Sequence, residues 1–196
     1  VIYPHNATEA VPAVIYIHGG GWIWGDKAGA VLEVLPYLQM GWAAVNVEYR
    51  LADVSKAPAA VEDCRCALRW VVHNAKEYHI DPSRLVVTGH SAGGHLSLTT
   101  GMLLESDGLD NDCASDGKEP EPRVAAIVNW FGVSDVADLL AGKNRKNYAL
   151  EWFGSLPNKE QIAREVSPLT YVRKSNPPII TVHGDLDDVV PYEHAV

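Results

Sequence analysis

The stretch that predicts the fold is Leu85-Val86-Val87-Thr88-Gly89-His90-Ser91-Ala92-Gly93-Gly94-His95. Its β-branched first part is typical of a buried strand, and a helical pattern follows the turn Gly89-x-Ser91-x-Gly93. Such a strand, turn and helix would hold the Ser91 hydroxyl out at the edge of a sheet. A Cβ two residues before or after the serine would clash with the adjoining strand or helix, which explains both glycines. Ser91 is therefore the candidate nucleophile, although the pentapeptide alone also occurs in ordinary glycine-rich turns.

A second motif, a strand followed by a glycine-rich stretch, lies upstream of the Ser91 turn. Val14-Ile15-Tyr16-Ile17 predicts another strand, which runs into the glycine-rich stretch His18-Gly19-Gly20-Gly21-Trp22. A glycine run directly after a strand exposes consecutive backbone N–H groups, as an oxyanion hole requires. The free N–H groups of the helix that follows Ser91 would point to the same place. The two motifs together therefore predict a serine nucleophile beside an oxyanion hole.

Four motifs in this order resemble those of the α/β-hydrolase esterases: His18-Gly19-Gly20-Gly21-Trp22, Glu48-Tyr49-Arg50-Leu51, Pro58-Ala59-Ala60-Val61-Glu62-Asp63 and Gly89-His90-Ser91-Ala92-Gly93-Gly94. The resemblance covers nearly the whole chain. It is strongest to the hormone-sensitive-lipase-like carboxylesterases and to the single-domain bacterial feruloyl and acetyl-xylan esterases. Many of the former carry Asp at the position of His90, so the second subgroup is favoured. The implied fold class is α/β, with a mostly parallel sheet and helices on both faces.

The resemblance also implies roles for individual residues. The pattern His183-Gly184-x-x-Asp187-x-x-Val190-Pro191 is similar to the acid loop of the family and places the acid at Asp187. Asp185 and Asp188 remain alternatives, since all three aspartates could simply form turns. The family-like oxyanion donors are Gly20, Gly21 and Ala92, and the expected substrate-binding residues are Trp22 and Trp24. No cofactor and no metal are expected.

The histidine that should complete a triad is missing from the sequence pattern. His18 is expected to anchor its loop, and His95 to pack or hydrogen-bond locally. His194 is the only histidine after Asp187, and it falls where a new helix should begin. The chain starts in mid-strand at Val1-Ile2-Tyr3 and stops as that helix begins. We therefore expect a domain truncated at both ends, with the catalytic histidine beyond Val196.

Length predicts one domain over residues 1–196, and the resemblance implies that it is an incomplete α/β-hydrolase domain. A helix is expected over Ala28 to Gln39, with its apolar residues Val31, Leu32, Leu35 and Leu38 on one side. A longer helix is expected from Pro58, with its buried face formed by Val61, Cys64, Leu68, Val71, Ala75 and Tyr78. The irregular region from Gly132 to Ser167 could lie over the pocket as a small cap.

Composition excludes several classes of function. The net charge is −9 and the 16 basic residues are scattered, which argues against nucleic acid and anionic membrane surfaces. No apolar run approaches the roughly 20 residues of a membrane span. The three cysteines cannot form a disulfide framework, and packing or chance explains all three. Asp110-Asn111-Asp112 resembles the start of a calcium loop, but Ala114 stands where a third ligand should be. Neither localisation nor oligomeric state can be predicted.

The function that these motifs predict is hydrolysis of short-chain acyl or aryl esters through an acyl-enzyme, with acetylated or feruloylated polysaccharide among the candidate substrates. Two alternatives stay open. A formamidase-type amidase would use similar loops. A non-catalytic binding domain on the same fold would fit the missing histidine, since fold does not determine function.

Overall fold

The sheet at the centre of the molecule contains five parallel strands within the described residues, which are 1–2, 9–110, 113 and 121–196 of the computed structural model. Their spatial order is β2-β1-β3-β4-β5, and every pairing is parallel. The strands are β1 (Val11–Ile17), β2 (Ala43–Val47), β3 (Ile80–His90), β4 (Ala126–Trp130) and β5 (Ile179–Val182). Crossover helices join parallel neighbours, as this topology requires. The predicted α/β class is confirmed.

Helices connect the strands and continue after β4. The α-helices are α1 (Val31–Gln39), α2 (Ala59–His73), α3 (Ala92–Met102), α4 (Asn147–Phe153) and α5 (Lys159–Glu165). Short 3₁₀ helices span Glu105–Asp107, Ala137–Leu139, Gly142–Asn144, Pro168–Tyr171 and Tyr192–Ala195. In the described part of the chain, no helix is both long and apolar enough to span a bilayer.

The sheet has a core on each face, as the alternation of side chains along β1 shows. Ala13, Ile15 and Ile17 are fully buried in the larger core, which also contains the apolar residues of α2 and α3. Val14 and Tyr16 point the other way, into a smaller core with residues of α1. Because successive strand residues face opposite sides, one strand can bind helices on both faces. The prediction of helices on both faces is confirmed.

Helix α2 matches its prediction as far as its last residue, His73, and the predicted face residues Ala75 and Tyr78 lie beyond it. Helix α1 does not match its prediction. Val61, Cys64, Leu68 and Val71 of α2 are buried at helical spacing. Helix α1 begins three residues later than predicted, and its only fully buried residue is Val34. The predicted inner face was wrong, since most of it is exposed to solvent: Val31 (45%), Leu32 (74%) and Leu35 (40%). The helix contacts the sheet through only a narrow stripe around Val34. Because α1 has apolar residues on several sides, its sequence did not indicate which side faces the sheet.

The cysteines were predicted wrongly. Cys66 forms a disulfide with Cys113, while Cys64 is a free, buried thiol. The two partners are 47 residues apart in sequence, so their pairing depends on how the loop after α3 folds back onto α2. Spacing along the sequence carries no information on such a contact. The disulfide therefore joins α2 to that loop.

A buried ion cluster lies beside the disulfide. Asp110 is buried and pairs with Arg65 at 2.7 Å and with Arg69 at 2.9 Å. Arg65 also pairs with Glu121 at 3.1 Å. The Asp110 carboxylate, which the sequence placed in a possible calcium loop, thus already has two cationic partners, as a buried charge requires. Asn111 and Asp112 lie outside the described residues.

The crosslink should contribute strongly to stability. Replacing Cys66 with Ser should lower the free energy of unfolding by about 4 kcal/mol, because the disulfide closes a loop of 47 residues in the unfolded chain. Urea unfolding with and without dithiothreitol measures this loss. Cys64→Ala is the matched control, since it removes a thiol but no crosslink and should respond to reductant as the wild type does. An unchanged unfolding midpoint for the reduced wild type would rule out the disulfide.

Candidate active site

Ser91 lies in the sharp turn between β3 and α3. Its backbone has φ 55° and ψ −120°, a conformation that residues with a side chain rarely adopt. The Ser91 N–H donates to Trp130 O at 2.9 Å, and the Ser91 carbonyl accepts the first helical bond from the His95 N–H at 3.0 Å. The turn is thereby tied to β4 on one side and to α3 on the other. The serine side chain is partly exposed, as a nucleophile must be.

The flanking glycines are explained by one close approach. A Cβ on either Gly89 or Gly93 would overlap the carbonyl oxygen of Ile17, the last residue of β1. Only glycine lets α3 start so close to the end of a neighbouring strand. The reason predicted for the Gly-x-Ser-x-Gly pattern is therefore confirmed in atomic detail.

The glycine-rich loop after β1 has an unusual backbone. Three consecutive residues have positive φ: Gly20 (111°), Gly21 (59°) and Trp22 (63°). The N–H groups of Ile23 and Trp24 both donate to Gly20 O, at 3.0 and 3.1 Å, which closes the loop. Within the described residues, the N–H groups of Gly20, Gly21 and Ala92 make no hydrogen bond to protein groups. These three predicted oxyanion donors are thus free to bind a ligand oxygen.

Residues of the second and third motifs support this loop. The His18 ring stacks on Tyr49 at 4.3 Å, and its Nδ1–H donates to Gly19 O at 2.8 Å. The Tyr49 hydroxyl donates to His18 O at 3.1 Å. Arg50 in turn pairs with Asp63, with 2.8 Å between its Nη2 and Asp63 Oδ1. His18 therefore anchors the loop, and the motifs around residues 49 and 63 form one connected support.

The two tryptophans expected to bind substrate point in opposite directions. Trp22 is fully buried and stacks on Trp152 of α4 with 4.2 Å between ring centroids. This placement corrects the expectation for Trp22, because its ring has no surface open to a substrate. Trp24 is 68% exposed and lines a cavity of about 340 Å³ with His18, Gly19, Gly25, Asp26 and His90 among the other lining residues.

His95 is fully buried one helical turn beyond Ser91. Its Nδ1 accepts the Trp22 indole N–H at 3.1 Å, and its Nε2–H donates to Val166 O at 2.7 Å. Burial lowers the pKa of His95 to about 4, with a smaller contribution from the nearby His194. The local packing role expected for His95 is present, and neither ring nitrogen is available for proton transfer.

Among the three aspartates of the loop after β5, Asp187 has the carboxylate with the most hydrogen bonds to the described residues. Its Oδ1 accepts the backbone N–H groups of Val189 at 2.8 Å and Val190 at 2.9 Å. Its Oδ2 lies 3.5 Å from His183 Nε2, and the side chain is 20% exposed. Asp185 and Asp188 are exposed, and neither carboxylate accepts a hydrogen bond from the described residues. Asp187 is thus the one of the three whose carboxylate has a set orientation.

Tyr148 of α4 and Lys146, the residue before that helix, contact the loop after β5, and Tyr148 also contacts the glycine-rich loop; no motif had marked either residue. The Tyr148 hydroxyl donates to Val189 O at 3.1 Å, while its ring lies against the position where Gly21 would carry a Cβ. Lys146 Nζ donates to Asp188 O at 2.6 Å. Desolvation, reinforced by the charge of Asp187, raises the pKa of Tyr148 to about 12. The region 132–167 therefore touches both the glycine-rich loop and the acid loop.

No histidine of the described part of the chain is hydrogen-bonded to the Ser91 hydroxyl. His90 Nδ1 pairs with the Tyr16 hydroxyl at 2.8 Å. His183 Nε2–H donates to Val190 O at 3.0 Å. His194 Nδ1 accepts the N–H groups of residues 134 and 135, each at 3.3 Å. These rings have structural partners, and none is placed to accept the serine proton.

Comparison with known proteins identifies relatives of this arrangement. The BD-FAE family profile matches residues 1–196. Esterase LipC of Mycobacterium tuberculosis is 29% identical over 196 residues, which cover 96% of this chain and 47% of LipC. The chain therefore spans about half the length of this curated relative.

Solved structures agree with the sequence comparison. The bifunctional GH43-CE protein of Bacteroides eggerthii superposes with a TM-score of 0.86 at 28% identity, over 98% of this chain and 29% of that protein. The acetyl ester-xyloside bifunctional hydrolase from Caldicellulosiruptor lactoaceticus gives a TM-score of 0.81 at 28% identity, over 100% of this chain and 69% of that one. The similarity therefore extends over the full described fold.

The buried His95 should make stability depend on pH. Its pKa is about 4 in the folded protein and about 6.5 in an unfolded chain. The unfolded state binds the extra proton, so the contribution of His95 is complete above pH 6.5 and is lost as the pH falls towards 4. Between pH 7 and pH 5 this loss is about 2 kcal/mol.

Urea unfolding at the two pH values checks this prediction, with His95→Asn as the non-titrating comparison. Burial also lowers the pKa of His90 and of His194. Both groups are present in the two proteins, so the difference between their pH dependences isolates His95. Identical pH dependence in the wild type and the variant would contradict the prediction.

Proposed function

We propose, since this chain belongs to the BD-FAE family and has the α/β-hydrolase fold, that it hydrolyses carboxylic esters with Ser91 as the nucleophile. One observation carries the proposal. The strained turn at Ser91 lies against the end of β1, where the glycine-rich loop begins, and the N–H groups of Gly20, Gly21 and Ala92 are unpaired within the described residues. A hydroxyl next to unpaired donors is the arrangement that acyl transfer needs.

The reaction would proceed in two halves. Ser91 Oγ attacks the ester carbonyl carbon and loses its proton to a base, while the carbonyl oxygen becomes an oxyanion. The N–H groups of Gly20, Gly21 and Ala92 bind that oxyanion, and such a donor contributes about 3 kcal/mol in a known hydrolase. The alcohol leaves with a proton, and water then releases the acid from the acyl-enzyme. Asp187 would orient the base through Oδ2.

The substrate would enter beside Trp24. The cavity of about 340 Å³ next to the glycine-rich loop has room for a small group, and Trp24 supplies an exposed aromatic wall. Asp26 and Glu33 also line it, so it offers polar as well as apolar contacts. One structural neighbour is described as an acetyl ester-xyloside hydrolase. We therefore favour short-chain acyl esters, including acetyl groups on polysaccharides.

The extent of the domain belongs to the same proposal. Residues 1–196 would form one α/β-hydrolase domain, and residues 132–167 would act as a small cap. The cap assignment is supported by the contacts of α4 with both catalytic loops, through Tyr148 and Trp152. A cap that touches the oxyanion loop could couple substrate entry to the position of its N–H groups.

A second candidate function is a binding domain without catalysis. It is favoured by one observation, namely that no described histidine side chain is hydrogen-bonded to the Ser91 hydroxyl. Reaction with a fluorophosphonate probe separates the two, because only an activated serine is labelled. Labelling of wild-type protein that disappears in Ser91→Ala would support the esterase, whereas an unlabelled wild type would support the binding domain.

Ser91→Ala should abolish turnover of p-nitrophenyl acetate while leaving the free energy of unfolding nearly unchanged. The change removes only a partly exposed hydroxyl, to which no side chain of the described residues is hydrogen-bonded. Ester hydrolysis and urea unfolding are measured on the same preparations. A formyl-amide substrate serves as the control for amidase activity. Turnover that persists in the variant would remove Ser91 from the mechanism.

Asp187→Asn should reduce kcat by about 10⁴-fold, the loss seen when the equivalent carboxylate of a serine protease is changed. The matched controls Asp185→Asn and Asp188→Asn should be far milder, because those side chains are exposed and lack the backbone bonds of Asp187. Steady-state kinetics on all three variants decide the assignment. A severe loss in Asp185→Asn would move the acid by two residues.

A further inference from the structure

His95 joins three segments that surround the nucleophile. It lies on α3, one turn beyond Ser91, and its side chain is fully buried. One ring nitrogen is bonded to Trp22 of the glycine-rich loop, and the other to Val166, directly after α5. A single side chain therefore links the nucleophile helix, the oxyanion loop and the 132–167 region.

The partners define the state of the ring. The Trp22 indole N–H can only donate a hydrogen bond, and the Val166 carbonyl can only accept one. The His95 ring must therefore carry its proton on Nε2 and present a lone pair at Nδ1. Protonation of Nδ1 would turn the Trp22 contact into a repulsion between two N–H groups. The link exists only in this neutral tautomer, and both nitrogens are occupied.

The Trp22 end of the link is next to the oxyanion donors. Trp22 directly follows Gly21, and both have positive φ. The Trp22 ring is held between Trp152, stacked at 4.2 Å, and His95, whose ring meets it edge-on at 5.0 Å. Its carbonyl accepts the Ala52 N–H at 2.9 Å. A shift of the Trp22 ring would thus move the N–H groups of Gly20 and Gly21.

The His95 end is part of the helix that carries the third donor. The N–H of Ala92 opens α3, and the His95 N–H bonds to Ser91 O in the same turn. The bond between Trp22 and His95 therefore spans the gap between the loop donors and the helix donor. At 3.1 Å it is a direct constraint on the width of the oxyanion hole.

We propose that His95 is a positioning residue, which sets the glycine-rich loop against the nucleophile helix through its Nδ1 bond to Trp22. The proposal rests on the proposed esterase function. A residue that only filled the core would act on stability, whereas this bond acts on the geometry of transition-state binding. Its loss should lower kcat and leave KM almost unchanged, because the ground-state carbonyl makes little use of the oxyanion hole.

Two amide substitutions separate the two bonds of His95. The amide oxygen of Asn lies close to the position of Nδ1 in His, whereas the amide nitrogen of Gln lies close to the position of Nε2. His95→Asn should keep the acceptor for Trp22 and lose the bond to Val166. His95→Gln should do the reverse. We expect kcat for p-nitrophenyl acetate to fall about 10- to 100-fold in His95→Gln, less than for a deleted donor, and to be largely recovered in His95→Asn.

Trp22→Phe tests the same bond from the other side, since it removes the N–H and keeps an aromatic ring. It should lower kcat as His95→Gln does, and the double variant should show little further loss. Thr99→Val is the matched control on the next turn of α3, where the buried hydroxyl bonds only to helix carbonyls. It should lose stability but not kcat. Equal kcat values for the Asn and Gln variants, or additive losses in the double variant, would overturn the proposal.

A spectroscopic measurement keeps the proposal testable if a variant does not fold. The ¹⁵N spectrum of the wild-type protein should show His95 as the Nε2–H tautomer throughout the neutral pH range. An Nδ1–H tautomer would overturn the proposal. Failure of the proposed function has a different signature, because wild-type protein that lacks ester turnover and fluorophosphonate labelling would overturn both proposals at once.

Discussion

The left-handed backbone of Ser91 is the constraint on which the rest of the site depends. A residue with a side chain is strained by about 1–3 kcal/mol in such a conformation, so its surroundings must hold it at φ 55°. The hydrogen bonds from the Ser91 N–H to Trp130 O and from the His95 N–H to Ser91 O do this. The Ile17 carbonyl approaches the turn so closely that only glycine fits at positions 89 and 93. Ile17 also ends β1, and the glycine-rich loop begins at the next residue. The close contact between β1 and the turn therefore also brings the start of the glycine-rich loop beside the turn at Ser91.

The glycine-rich loop is held by its side chains as well as by its own backbone hydrogen bonds. Positive φ at Trp22 turns the indole inward, where it packs between Trp152 and His95. Two residues later, Trp24 turns outward into the cavity. One short loop thus has an inner tryptophan that packs in the core and an outer one that faces solvent. Under the proposed esterase function, substitution at these two positions would separate oxyanion binding from substrate selection.

Local patterns predicted the strands, α2, the turn at Ser91 and the free N–H groups, because each depends on neighbours in sequence. The disulfide between Cys66 and Cys113, the inward turn of Trp22 and the solvent-exposed face of α1 escaped prediction. Each of these depends on which distant segment lies opposite. Apolar side chains and cysteines look the same in sequence whether their partner is the core, solvent or another loop. The contact of Tyr148 with two loops had no sequence signal for the same reason.

In the loop after β5, main-chain hydrogen bonds orient the Asp187 carboxylate. Both backbone N–H groups that bind Asp187 donate to Oδ1, and neither donates to Oδ2. The His183 Nε2–H donates to Val190 O at 3.0 Å. Asp187 Oδ2 lies 3.5 Å from the same nitrogen, which is too far for a good hydrogen bond. Oδ2 therefore keeps most of its capacity as an acceptor. An imidazole N–H reaching it would meet a carboxylate already oriented by main-chain bonds, so little orientational freedom would be lost when that hydrogen bond forms.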